Sequence, residues 1–148
     1  RDLHLSIRRQ RQMCIRDRFN MARKVYFPNP DNKPSGFSPA TRSGRAVFVS
    51  GQVPVDSTGN LVGEDDCERQ SEQCFENIRA ALEAAGASME DVTKITAFIV
   101  RPEDYPDYAK VRLSMFPKDG PASSSVFISG LVDPKFLIEI EAIAVLED

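Results

Sequence analysis

Apolar and polar positions alternate most regularly near the C-terminus, where Leu137-Ile138-Glu139-Ile140-Glu141-Ala142-Ile143-Ala144-Val145 runs for a full strand length. Strand side chains point to opposite faces with period two, so Glu139 and Glu141 share one face, flanked there by Leu137 and Ile143. Upstream, Pro121-Ala122-Ser123-Ser124-Ser125-Val126 is small and polar where a strand should begin. Ala46 to Val53 reads as a strand interrupted at Gly51, where the backbone is expected to bulge or to be closely approached. The turn cluster Asp56-Ser57-Thr58-Gly59-Asn60 joins it to a short strand around Leu61-Val62. Val25 to Pro39, rich in Pro, Asn, Ser and Gly, reads as a loop or an irregular edge segment. Cys67, Cys74, Ile78, Ala81, Leu82 and Ala85 form one apolar stripe with Glu and Arg opposite, which predicts a helix from about Asp66 to Ala85, closed at Gly86. Val92 to Val100, rich in β-branched residues, predicts a central strand. Pro102 with Glu103-Asp104 suits the first turn of a second helix, which ends before Pro117. Val126 to Ser129 and Leu137 to Val145 complete the sheet.

The order β-β-α-β-α-β-β predicts one α+β domain whose sheet carries two helices on a single face. The other face then lies bare. It would present Val47 or Phe48, Ile143 and Val145 beside Glu139 and Glu141. Leaving that apolar area in water is unfavourable, so an oligomer is expected.

The net charge of −3 hides an asymmetry. Residues 1–20 carry six arginines against Asp2 and Asp17, and the remaining residues hold 13 basic and 20 acidic side chains, a net of −7. An acidic body argues against nucleic acid as a partner, since phosphates need a basic face. Within the head, Met13-Cys14-Ile15-Arg16-Asp17-Arg18 is the translation of the DNA string ATGTGTATAAGAGACAG, a transposon end used in sequencing libraries. Residues 1–20 are therefore expected to be adapter read-through, with Met21 as the native start and 21–148 as the single domain. The competing readings are a targeting peptide or a nucleic-acid arm. The head lacks the apolar core of a secretion signal, although its Arg-rich character is compatible with an organellar transit peptide. From Met21 onward the only cysteines are Cys67 and Cys74, two helical turns or about 10 Å apart and too far for a disulfide. They read as small buried helix residues in a reducing cytosol, and no apolar run approaches membrane-spanning length.

Residues 21–148 contain no histidine, which removes imidazole as acid, base or metal ligand. Spacings typical of zinc or iron sites are absent, as are phosphate- and dinucleotide-binding motifs, so neither metal nor cofactor is expected. Proton transfer falls to a carboxylate, a tyrosine, a lysine or bound water. Glu139 and Glu141 stand about 7 Å apart on one strand face. A carboxylate partly desolvated at an apolar interface has a raised pKa and can serve as acid or base near neutrality. The plainer readings are strand glutamates pointing into solvent and serines that only begin a strand.

From about Gly36 to Val145 the chain resembles the reactive intermediate deaminase (RidA, or YjgF) family. Val49-Ser50-Gly51-Gln52-Val53-Pro54 followed by Gly59 is similar to its first hairpin, and Gln73 to Gly86 to its first helix. Asp91-Val92-Thr93-Lys94 with Ala97-Phe98-Ile99-Val100 resembles its central strand, and Ile138 to Val145 its last strand almost letter for letter. The resemblance implies a chorismate-mutase-like homotrimer with three clefts between subunits. It also implies hydrolysis of enamines or imines, such as 2-aminoacrylate, to ketoacids and ammonia without metal or cofactor.

In that resemblance Glu139 takes the place of the glutamate that orients or activates the attacking water, and the backbone around Ser50 and Gly51 lines the cleft. Ser123 stands where the family carries an arginine that grips the substrate carboxylate, a charge-assisted clamp that a hydroxyl cannot reproduce. Phe37 falls at the usual cleft tyrosine and Arg112 at a cleft asparagine, and the loop from Pro117 to Gly120 is short. The chain therefore resembles an arginine-less branch, for which 2-imino-acid deamination is expected to be poor or absent. The leading expectation is a cytoplasmic small-molecule hydrolase or deaminase acting on a neutral or differently charged imine, enamine or related carbonyl compound, with Glu139 assisting water and Ser123 and Ser125 as hydrogen-bond donors. The alternative is a non-catalytic ligand-binding or protein-interaction trimer of the same fold.

Overall fold

The computed structural model describes Ile7 and residues 22–148, so the expectation of adapter read-through in residues 1–20, with Met21 as the start, falls outside the described residues apart from Ile7. Strands β1 (Lys24–Tyr26), β2 (Ala40–Ser43), β3 (Ala46–Gln52), β4 (Val92–Ile99), β5 (Ala122–Phe127) and β6 (Ile138–Val145) form one sheet. Two helices, α1 (Cys67–Ala84) and α2 (Tyr105–Met115), accompany it. The strand order is β1-β2-β3-β6-β4-β5; β4 and β5 run parallel and the other pairs antiparallel. Helix α1 packs across β3 and β6, and α2 packs on α1. This is the expected α+β sheet with both helices on one side. No described helix is long and apolar enough to cross a membrane.

The alternation in β6 decides which face is covered. Ile138, Ile140, Ala142 and Ala144 are buried against Phe75, Ile78, Ala81 and Leu82 of α1 in a single core. Each large aliphatic side chain so buried contributes about 1.5–3 kcal/mol relative to exposure. Asp66 caps α1 by accepting from the Arg69 backbone N–H at 3.0 Å. Gly86 closes the helix at φ 80°, a left-handed conformation that glycine adopts freely. Gln70 is the polar strut of this core: Nε2 donates to the carbonyls of Gly63 and Lys135 at 2.9 and 3.0 Å, and Oε1 accepts from the Leu137 N–H at 2.8 Å. Cys67 and Cys74 are buried and free. Burial, then the nearby Asp104 charge, pushes the Cys67 thiol up to about 12, and burial likewise raises Cys74.

The bare face carries Phe48 rather than Val47, which are 47% and 0% exposed. Phe48 pairs with Ile143 and Ile143 with Lys94. Three expectations need correction. Leu61 makes only an isolated bridge to Val55, so no strand forms at Leu61-Val62. The segment from Val25 to Pro39 is flanked by strands: β1 includes Val25, and β2 follows Pro39 and turns into β3 through Gly44-Arg45. Gly44 has φ 60°, as a two-residue hairpin turn demands. Finally, β5 begins at Ala122 and not at Val126, because pairing with β4 from Lys94 to Ile99 overrides the weak strand propensity of three serines.

Candidate functional site

The expected site residues fall into two groups, one on each face of the sheet. The first is built around Glu139, which opposes Phe98 on the bare face. On its other side, the register of β3 against β6 shifts between Val49 and Gln52, the bulge expected at Gly51. A Cβ added to Gly51 would stand 2.7 Å from Glu139 Cδ and 3.0 Å from Cγ, so glycine is what leaves the carboxylate its seat. Burial, and then the Glu141 charge, holds the Glu139 carboxyl above the ordinary glutamate value. No described side chain donates a hydrogen bond or ion pair to it. An unpaired, desolvated carboxyl of this kind can take a proton from water and return it.

Ser50 ties a loop to this group. Its hydroxyl donates to the Ser38 carbonyl at 2.6 Å and its N–H to the Pro39 carbonyl at 2.9 Å. Gln52 Nε2 donates to the Ser50 carbonyl at 2.9 Å. Phe37, 60% exposed, precedes that anchored pair. The structure thus gathers Ser50, Gly51 and Glu139, with Phe37 on the segment bound to Ser50.

The second group lies on the helix-bearing side. Arg112 of α2 donates from Nη1 to Ser123 Oγ of β5 at 3.2 Å, and its guanidinium sits 5.3 Å from the centre of the Tyr108 ring. Tyr108 stacks on Phe75 with centroids 6.5 Å apart and meets the edge of Tyr105 at 6.2 Å. Ser125, two residues along the same face, is half-buried. Ser123 and Ser125 oppose the core residues Ile95 and Ala97, whereas Glu139 opposes Phe98 on the other face. Strand β4 also lies between β5 and β6, so within one chain these serines stand two strand spacings, about 10 Å, and a sheet's thickness from Glu139. One chain does not bring the expected hydroxyl donors to the expected carboxylate.

The sequence pattern does not single out Lys94, Tyr105 or Tyr108 as site residues. Lys94 donates to Ser124 Oγ at 2.6 Å on the bare face. The spacing of Tyr105, Tyr108 and Arg112, which puts them on one helix face, was the signal that could have found the other two. Among the described residues no three His, Cys, Asp or Glu side chains are placed to hold a metal ion. A surface cavity of about 380 Å³ lies between Asn29, Gln52 and Asn77, and one of about 360 Å³ between Met89, Met115 and Phe116; Glu139 lines neither.

Comparison with known proteins agrees with this architecture. The family described as endoribonuclease L-PSP matches residues 30–146. A RutC family protein of Pyrococcus abyssi is 41% identical over 130 residues, covering 86% of this chain and all of the relative. Among solved structures, a conserved Rid-family protein of Yersinia pestis superimposes with a TM-score of 0.76 at 32% identity, covering 84% of this chain and all of the other. E. coli TdcF, solved with bound serine, gives 0.73 at 30% identity, covering 84% and 99%. With the family matched over nearly the whole described chain, and relatives that agree in sequence and in fold, this chain belongs to the endoribonuclease L-PSP family of Rid/YjgF proteins.

Proposed function

We propose that the chain is a small-molecule hydrolase that adds water to an imine or enamine in a cleft between the subunits of a homotrimer. The observation that carries this reading is the Glu139 carboxylate, seated over Gly51, free of hydrogen bonds from described side chains and held above its ordinary pKa. Its ionised form takes a proton from water as the oxygen attacks the C=N carbon, and the nitrogen is protonated. The resulting carbinolamine then collapses: the C–N bond breaks, ammonia leaves, and a carbonyl remains. An enamine first accepts a proton on carbon to become the imine. The balance is imine plus water to carbonyl plus ammonia, with no oxidant or reductant.

Two features support a shared cleft. Glu139 and Ser123 face opposite sides of one sheet, so a site holding both needs two copies. The bare face also presents Phe48, Val126 and Val145 half-exposed, apolar area that association would cover. Serine bound to a relative supports a ligand of this size. A ribonuclease reading of the family description finds no support in the charge of residues 21–148, a net of −7. Ammonia release from a panel of imines and enamines, by wild type and Glu139→Gln, tests the chemistry, and light scattering tests the trimer. Equal turnover by both proteins, or a stable monomer at micromolar concentration, would overturn the reading. Binding without turnover of any member of the panel would favour the non-catalytic trimer instead.

A further inference from the structure

We infer that Arg112, projecting from α2, is the anion-gripping group of this site, and that the ligand carries a single carboxylate. The inference rests on the reading of a cleft that includes Ser123 and deepens it by naming the substrate class. It reverses what Ser123 alone suggests, namely a site without a cation.

Three observations carry it. First, the guanidinium is fixed rather than free: Ser123 Oγ accepts one N–H at 3.2 Å and the Tyr108 ring lies beneath at 5.3 Å. That ring is itself fully buried and stacked on Phe75. Second, the charge is unspent. Arg45, Arg69, Arg101, Lys110 and Lys135 each have an acidic partner, and Arg112 has none among the described residues. A guanidinium offers five N–H donors in a planar fork, so the bond to Ser123 and the interactions with the Tyr105 and Tyr108 side chains still leave N–H groups for a carboxylate. Third, hydroxyls flank it. Ser123, accepting from Arg112, still has its own O–H to give, and Ser125 follows on the same face of β5. One cation with two hydroxyls suits a singly charged, planar acid. A phosphate would call for a second cation, but Lys110 is held by Glu68 at 2.7 Å and Lys94 lies on the opposite face.

The test is isothermal titration of the assembled protein with 2-oxobutyrate, its neutral amide and inorganic phosphate. Wild type should bind the acid about 10- to 100-fold more tightly than the amide, the range expected of a charge-assisted bond. Arg112→Gln should erase that preference, and Arg112→Lys should keep part of it, since the charge stays and the fork is lost. Returning the cation to β5 in Arg112→Asn/Ser123→Arg should restore the preference, which guards against a single variant that fails to fold. Ser123→Arg alone should bind acids no better than wild type, because two guanidinium groups would then compete for one place. A wild type that prefers the amide or phosphate, or a correctly assembled Arg112→Gln that still prefers the acid, overturns the inference. Glu139→Gln separates the two readings. If it binds acid as wild type does and loses no turnover, the hydrolase reading falls while the Arg112 assignment stands.

Discussion

Gly51→Ala isolates the contact on which the proposed chemistry depends. Gly51 is not among the residues with positive φ, so alanine can adopt its backbone without strain. The new Cβ, however, would stand 2.7 Å from Glu139 Cδ, about 0.8 Å inside an ordinary carbon–carbon contact of about 3.5 Å. The obstructing atoms are the end of a flexible side chain, so the carboxylate moves and the strand stays. Pushing Glu139 off its rotamer costs about 0.5–1.5 kcal/mol. Replacing glycine by alanine at a permissive backbone returns about 0.4–1 kcal/mol through the unfolded chain. The two nearly cancel, and the melting temperature should change by no more than about 5 °C.

The rate should not be spared. A misplacement of about 1 Å in a reacting group costs on the order of a hundredfold. Gly51→Ala should therefore lower ammonia release about 100-fold while thermal melts and light scattering stay close to wild type. That separation is the signature of a displaced carboxylate. Turnover at the wild-type rate in a folded Gly51→Ala protein would refute the role given to Glu139, because no arrangement keeps both the new methyl and the present carboxylate position.

Glu139→Gln should raise the melting temperature near neutrality. The folded pKa is raised, so the native state's tighter hold on the proton gives a contribution fully present below the ordinary glutamate value and lost as pH rises through the raised one. Melts across that window should show the variant's advantage shrinking toward acid pH, and an advantage independent of pH would contradict the assignment. In a chain begun at Met21, neither Cys67 nor Cys74 should react with a thiol reagent near pH 8 until the protein unfolds, since burial holds both thiols protonated; rapid native labelling would contradict the packing of α1. The Tyr108 hydroxyl is buried with no hydrogen-bond partner among the described residues. Tyr108→Phe should therefore leave urea stability unchanged or raise it by up to about 1–2 kcal/mol, and a loss of that size would show that the hydroxyl's interaction with the Arg112 guanidinium outweighs the cost of burying it.

Local patterns in the chain foretold what local physics decides. A glycine interrupting a run of β-branched and aromatic residues signalled a bulge and a close approach, and Gly51 is both. The alternation of Ile138 to Val145 assigned each residue to its face, including Glu139 and Glu141. What stayed hidden depends on register between distant segments. Strands β1 and β2 are short and polar and stand only because β3 offers an edge to pair with, although Ser43-Gly44 before an alternating run was a usable hairpin signal. The serines of β5 look like a turn until β4 pairs with them.

The contact between Arg112 and Ser123 is the instructive case. Read singly, Ser123 is a lost cation and Arg112 a surface charge on a helix of mixed polarity. In the proposed site the packing of α2 beside β5 makes them one device, in which the serine positions an arginine of the neighbouring helix. On that proposal a positive charge leaves a strand and reappears on a neighbouring helix with the same pocket still served. Substrate charge in such a protein therefore follows from the sum of cations that face the cleft and not from the identity of a single position.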